Sequence, residues 1–298
     1  MDLNSKTENY KNAFILMRVP FSLFLMPVFW FALSQLESFD ALKALFVFII
    51  IHLFFYPASN GYNSFYDKDE SSIGGLKNPP KVNRQLYQLV ILFDLISLGL
   101  SLQISWQFAL MILISTMFSK AYSYDKIRIK KYPILSTIVV TFIQGGFTFL
   151  MVQVGISGYS ETLFEFPNIG FALVSTLFLL GSYPMTQIYQ HEEDSTRGDK
   201  TISLMLGIWG TFIFSGIAFG IATALFAYLN LEMSWNPKDV IIFLIATAPV
   251  LIIFNSWMLK VKRSVSEVNF ENTMKLNKIS SLSLSAAFIL MLIWKHIN

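Results

Sequence analysis

Asn60, Asn63 and Asp67 stand at spacings of three and four residues in SNGYNSFYD, and Asp69 and Glu70 follow at once. On a helix those spacings stack the three side chains on one face over two turns. Further along, QIYQHEEDSTRGDKT repeats the spacing with Gln187, Gln190 and Asp194, and brings His191 and Gly198 close to that face. Carboxylates and carboxamide oxygens suit a hard cation such as Mg2+, and acids facing each other repel without one. Mg2+ keeps several waters and is held through one or two carboxylates plus phosphate oxygens. Two acid-tipped helix ends therefore point to a diphosphate bound through metal. Lys77, Lys126, Arg128, Lys130, Arg197 and Lys200 adjoin the clusters and can neutralise phosphate oxygens that metal does not reach. The same bases also fit plain topogenic charge. Arg18 differs, because it lies inside the apolar run FILMRVPFSLFLMP, where a base needs a partner.

The elements that must position these residues are membrane helices. Hydrophobic residues make up 54% of the 298-residue chain and charged residues 14%, with a mean hydropathy of +0.54. Soluble domains carry roughly a quarter charged residues. The formal charge of +3 is too small to argue for a nucleic-acid partner. The absence of cysteine excludes a disulfide framework, a thiolate nucleophile and a Cys-based metal site. The start, MDLNSKTENYKN, lacks a cleavable signal pattern, so the first apolar segment is expected to stay as a span.

Windows of about 20 apolar residues, enough to cross a bilayer as helix, recur nine times. They fall at about 14–36, 41–63, 86–104, 106–122, 134–155, 168–190, 203–229, 239–259 and 279–297. Only a short SWQ turn separates the third from the fourth, which predicts a tight helical hairpin. With the N-terminus inside, every Lys and Arg of the 22 except Lys43, Lys238 and Lys295 falls on the cytosolic side. No linker or low-complexity tract divides the chain. The expectation is an all-α, multi-pass protein of the inner (cytoplasmic) membrane: nine helices in one bundle around a central cavity, residues 1–298 as a single domain, both acidic clusters cytosolic.

At these residues the sequence resembles the UbiA superfamily of intramembrane prenyltransferases. The family's first signature is Asn-x3-Asp with a further acid four residues on. Asn63 and Asp67 match it, Ser71 stands at the third position, and Asp69 is the nearest substitute. The second is Asp-x3-Asp followed by a Gly-x-[KR]-[ST]-type stretch. Gln190 and Asp194, then RGDKTISLMLG, stand there, with Glu192, Glu193 and Asp199 as neighbouring acids. AYSYDKIRIKKYP is similar to the family's tyrosine-serine loop and basic tail, at Tyr122, Ser123, Arg128 and Lys130. Ser71 and Gln190 at expected acid positions leave the number of Mg2+ ions open.

The resemblance implies Mg2+-dependent transfer of a prenyl group from its diphosphate to a lipophilic acceptor such as a quinone or other aromatic precursor. It assigns metal binding to Asp67, Asp69, Asp194, Asn63 and Glu193, with Asp67, Asp194 and Asn63 catalytic. Substrate contacts fall to Asn60, Arg18, Lys77, Tyr122, Arg128, Lys130, Gln190, Arg197 and Lys200. The 29 Phe and 12 Tyr could wall the isoprenoid tail, although packing and lipid contact account for aromatics equally well. Asp69, His191 or Glu192 could take the acceptor's proton. A terpene cyclase using the same diphosphate site is the main alternative. An ion-coupled transporter is the other, disfavoured because transporter sites lie near the midplane whereas these acids sit at one interface. Asp94 and His52 read as intramembrane polar groups paired with a neighbouring helix, Gln144 beside Gly145 and Gly146 as a close helix contact, and Asp125 as a salt-bridge partner.

Overall fold

The computed structural model describes residues 3–297 of the chain, so Met1, Asp2 and Asn298 of the expected 1–298 domain lie outside the described residues. Among the described residues there is helix and no strand, apart from one isolated bridge between Ile73 and Leu76. The helices are α1 (Leu3–Leu16), α2 (Val19–Ser22), α3 (Met26–Gln35), α4 (Ala41–Ile49), α5 (Tyr56–Asp67), α6 (Arg84–Ile104) and α7 (Trp106–Ser123). There follow α8 (Pro133–Phe142), α9 (Thr148–Ser157), α10 (Asn168–Gln187), α11 (His191–Arg197), α12 (Ile202–Tyr228), α13 (Pro237–Arg263) and α14 (Phe270–Ile297). Eight helical stretches among the described residues are, by length and composition, long and apolar enough to cross a membrane. The ninth expected span, α7, is a helix of 18 residues, and its Gln107, Lys120 and flanking hydroxyls make it more polar than the others. This is a multi-pass membrane protein.

Contacts divide the chain into two compact units, each drawn from separated segments. The first comprises residues 1–23, 40–130 and 154–158. Its core packs Ala13, Leu16 and Met17 of the first segment against Ala58 and Tyr62 of α5, Ile73 of the following loop, and Leu86 and Val90 of α6. Lipid offers helices no hydrophobic gain from association, so fit between surfaces must hold them. α6 and α7 form the expected hairpin, joined through Ser105 alone. Its hydroxyl caps α7 by accepting from Phe108 N at 3.1 Å.

The second unit comprises residues 24–39, 131–153 and 159–298. At its centre Phe31 of α3 stacks on Phe288 of α14 at 4.3 Å between ring centroids and meets Phe149 and Phe171 edge-on. A second cluster gathers Met185 of α10 and Ile188 just beyond it with Phe212 of α12, Phe254, Trp257 and Val261 of α13, and Leu276 of α14. Where α10 passes Ile143–Phe147, a single π-helical turn, a Cβ on Gly145 would lie 2.7 Å from Thr176 Cα. That approach accounts for the glycine pair beside Gln144. Gln153 and Asn168, both amides, bond reciprocally at 2.9 and 3.1 Å.

Three expected continuous spans are broken, one of them α12, which kinks where Gly207 leaves helical geometry at φ 68° and ψ 174°. The first stops at Leu16 and resumes at Val19, with Arg18 in the left-handed region at φ 50°. Pro20 supplies the cause, since its ring cannot donate into a helix continuing from α1. In the second unit, α10 ends at Gln187 and a 3-10 turn over Ile188–Gln190 precedes α11. Gln187, Gln190 and Asp194 therefore do not lie on one uninterrupted α-helical face, and the repeat of the first cluster's spacing is one of sequence only.

Candidate active site

In the first unit, α5 carries Asn60, Asn63 and Asp67 in one unbroken helix, as their spacing predicts. Asp67 is the last helical residue, and Lys68 ends the helix in the left-handed region at φ 52°. The carboxylate is nearly buried, with 5% of its side chain exposed, and is held from three sides. Lys130 Nζ donates to Oδ1 at 2.6 Å, Arg128 lies 3.5 Å from the same oxygen, and Asn63 Nδ2 donates to Oδ2 at 2.7 Å. Asn63 Nδ2 also reaches Ser123 Oγ at 3.0 Å, tying α5 to the end of α7. Arg128, in the left-handed region at φ 42°, spans Asp67 and Asp125 at 3.5 and 3.4 Å. The tyrosine-serine loop and basic tail thus fold back onto the first acidic motif. Charge-assisted bonds of this kind are about twice as strong as neutral ones.

Arg18 serves the same cluster. Its guanidinium donates to Asn60 O at 3.0 Å, Asn63 Oδ1 at 3.4 Å and Gly74 O at 3.2 Å, and it lies over the Phe21 ring. Gly74 and Gly75 let the loop press on that ring; a Cβ on Gly74 would sit 2.6 Å from it, and Gly75 needs its φ of 85°. Tyr122 is half-buried in the last turn of α7, Asp69 is half-buried just past α5, and Lys77 and Lys126 are exposed in loops.

One turn deeper, the structure pairs residues that sequence reasoning did not connect. Lys120 Nζ lies 2.7 Å from Asp94 Oδ2, joining α7 to α6, and sits over the Tyr62 ring at 4.3 Å. Asp94 has the neighbouring-helix partner its type demands; Lys120, one of the bases counted on the cytosolic side, is that partner. Ser59 and Ser119 bond side chain to side chain beside them. His52, buried in a π-helical turn, places Nδ1 3.1 Å from Ser22 O.

In the second unit, Asp194 lies on α11, which closes at Gly198 with φ 73°. Thr201 donates to Asp194 Oδ2 at 3.2 Å while capping α12 through Leu204 N, so one hydroxyl fixes both the acid and the next helix. Glu193 is engaged by Arg197, one turn on, at 2.6 Å. Gln190 is half-buried at the end of the 3-10 turn, His191 Nε2 meets Ser203 Oγ at 2.7 Å, Asp199 is buried, and Glu192 and Lys200 are exposed. Among the described residues no three His, Asp or Glu side chains come together in a group able to hold a metal ion. The donors nevertheless fit Mg2+ of the kind bound by single carboxylates and phosphate oxygens, since each motif offers hard oxygen and has bases beside it.

A model of the UbiA prenyltransferase family matches residues 24–279. The chain belongs to this family. The UbiA match spans both motifs and most of both units. Among solved structures, an apo UbiA homologue from Aeropyrum pernix K1 superposes with a TM-score of 0.69 at 17% identity, covering 91% of this chain and 98% of that one. A UbiA homologue from Archaeoglobus fulgidus bound to DMAPP and Mg2+ gives 0.66 at 18% identity, over 94% and 99% of the two chains. A structure from work on digeranylgeranylglyceryl phosphate synthase gives 0.59 at 19%, over 98% and 100%. At such identities the likeness speaks for the fold. No curated protein matches the sequence.

Proposed function

We propose that this UbiA-family protein transfers a prenyl group from an allylic diphosphate to a lipophilic acceptor, with Mg2+ at the diphosphate. The observation that carries the reading is Asp67: a nearly buried carboxylate at a helix end, oriented by Asn63 and ringed by Lys130 and Arg128. Family membership supports the chemistry, and the Archaeoglobus homologues bound to DMAPP or GPP with Mg2+ support the substrate class. Asp67 of the first motif and Asp194 of the second are each assigned a part in the reaction, with the acids and the N-terminus cytosolic.

Mg2+ would supply Lewis-acid charge at the diphosphate oxygens. The chain's own groups do the rest. Lys130 and Arg128, already committed to Asp67, can transfer part of their hydrogen bonding to phosphate oxygens. As the allylic C–O bond loosens, negative charge grows on the leaving pyrophosphate, and donors fixed in advance stabilise it without reorganising. Glu193 holds Arg197 in a similar arrangement in the second unit. The acceptor attacks the allylic carbon and loses a proton to a base, for which Asp69, His191 and Glu192 are the candidates.

Purified protein incubated with Mg2+ and allylic diphosphates of several lengths should release pyrophosphate only when an acceptor is present, and EDTA should stop it. Pyrophosphate and a cyclic hydrocarbon formed without acceptor would instead identify a cyclase. Turnover that survives EDTA would contradict metal-assisted ionisation.

A further inference from the structure

Asn63 has a carboxamide whose two ends are alike in shape, so its partners decide which end is oxygen. Arg18 can only donate and an ionised Asp67 can only accept. The oxygen must therefore face Arg18, 3.4 Å away, and the NH2 must face Asp67 Oδ2 and Ser123 Oγ at 2.7 and 3.0 Å. The break in the first span makes this possible, because the left-handed backbone at Arg18 interrupts the helix where its side chain meets α5. We propose that Arg18 is a positioning residue for the diphosphate site, resting on the prenyl-diphosphate reading above. It locks the Asn63 amide in the one orientation that donates to Asp67, in place of contacting substrate itself. Its bonds to Asn60 O and Gly74 O help hold the guanidinium for that task.

Without Arg18 the amide oxygen loses its donor, and only Asp67 and Ser123 are left to orient the NH2. The bond to Oδ2 is then less firmly held, while Lys130 and Arg128 keep their pull on Oδ1. A lysine at position 18 preserves the charge but cannot reach three acceptors with one planar fork.

A double-mutant cycle separates positioning from direct binding. Wild type, Arg18→Lys, Asn63→Ala and the double variant are assayed for pyrophosphate release across diphosphate concentrations. The inference predicts that Arg18→Lys lowers kcat about tenfold, that the KM for the diphosphate moves by less than about threefold, and that the double variant is no slower than Asn63→Ala. Fold-losses that multiply, or a loss confined to KM, would overturn it and make Arg18 a substrate contact. Thermal melting of the same four proteins without substrate reads the link independently, and additive melting shifts would overturn the inference even in a protein that turns nothing over. No turnover by wild type on any allylic diphosphate would instead count against the functional reading, leaving the melting cycle to judge Arg18.

Discussion

At the scale of single residues, the central feature is that Asp67 is paired with bases before any substrate arrives. Breaking a buried ion pair from one side leaves an uncompensated charge and costs about 3–5 kcal/mol. Lys130→Met should therefore lower thermal stability, by less than that because Arg128 stays 3.5 Å from the same oxygen, and weaken diphosphate binding together; a variant as stable as wild type would show that the 2.6 Å contact contributes nothing. Asp94 and Lys120 make a contrasting case at 16% and 20% side-chain exposure. Asp94→Asn or Lys120→Met alone should cost about 3 kcal/mol, while the double variant should recover most of it, because neither charge is then stranded. Melting curves of the three variants decide this. The spacing of Asn63 and Asp67 made their stacking legible in the sequence, since four residues along one helix fix it. Lys130 as the partner was not, because 63 residues separate it from Asp67 and its type fits a topogenic loop charge equally well. Lys120 was not connected to Asp94 for the same reason: a base three residues from a helix end reads as solvated until a buried acid is seen beside it.

At the scale of elements, lipid removes the signal that usually defines helix faces. A span apolar on every side carries no usable period, so the spans were legible and their packing was not. The sharp turn between α6 and α7 was readable because a polar SWQ left no room for a longer loop. The break at Arg18 had a signal in Pro20, and the interruption after Gln187 had none as plain. Gly145 marks where small residues set the distance between helices. Gly145→Val should force Thr176 and its helix away, costing about 1–3 kcal/mol, read as a lower melting temperature in detergent. An unchanged melting point would mean that the two backbones are not in contact.

At the scale of the whole molecule, the positive-inside count predicts an orientation that the helices alone do not reveal. The cysteine-free sequence makes single-cysteine labelling clean. Cysteines at Lys126 and Arg263 should react with a membrane-impermeant maleimide only from the cytosolic side, and one at Lys43 only from the other; the reverse pattern would invert the topology. Among the described residues, the nine expected spans correspond to eight stretches of membrane-crossing length and composition and the more polar α7. The claim on which the mechanism depends is that the acids of both motifs are needed for turnover. The direct measurement is Mg2+-dependent pyrophosphate release from an allylic diphosphate by wild type, Asp67→Asn and Asp194→Asn, each checked for native melting. The account predicts that each substitution lowers kcat/KM by at least about 10²-fold, comparable to removing a key transition-state contact. Turnover left intact in either folded variant would contradict it.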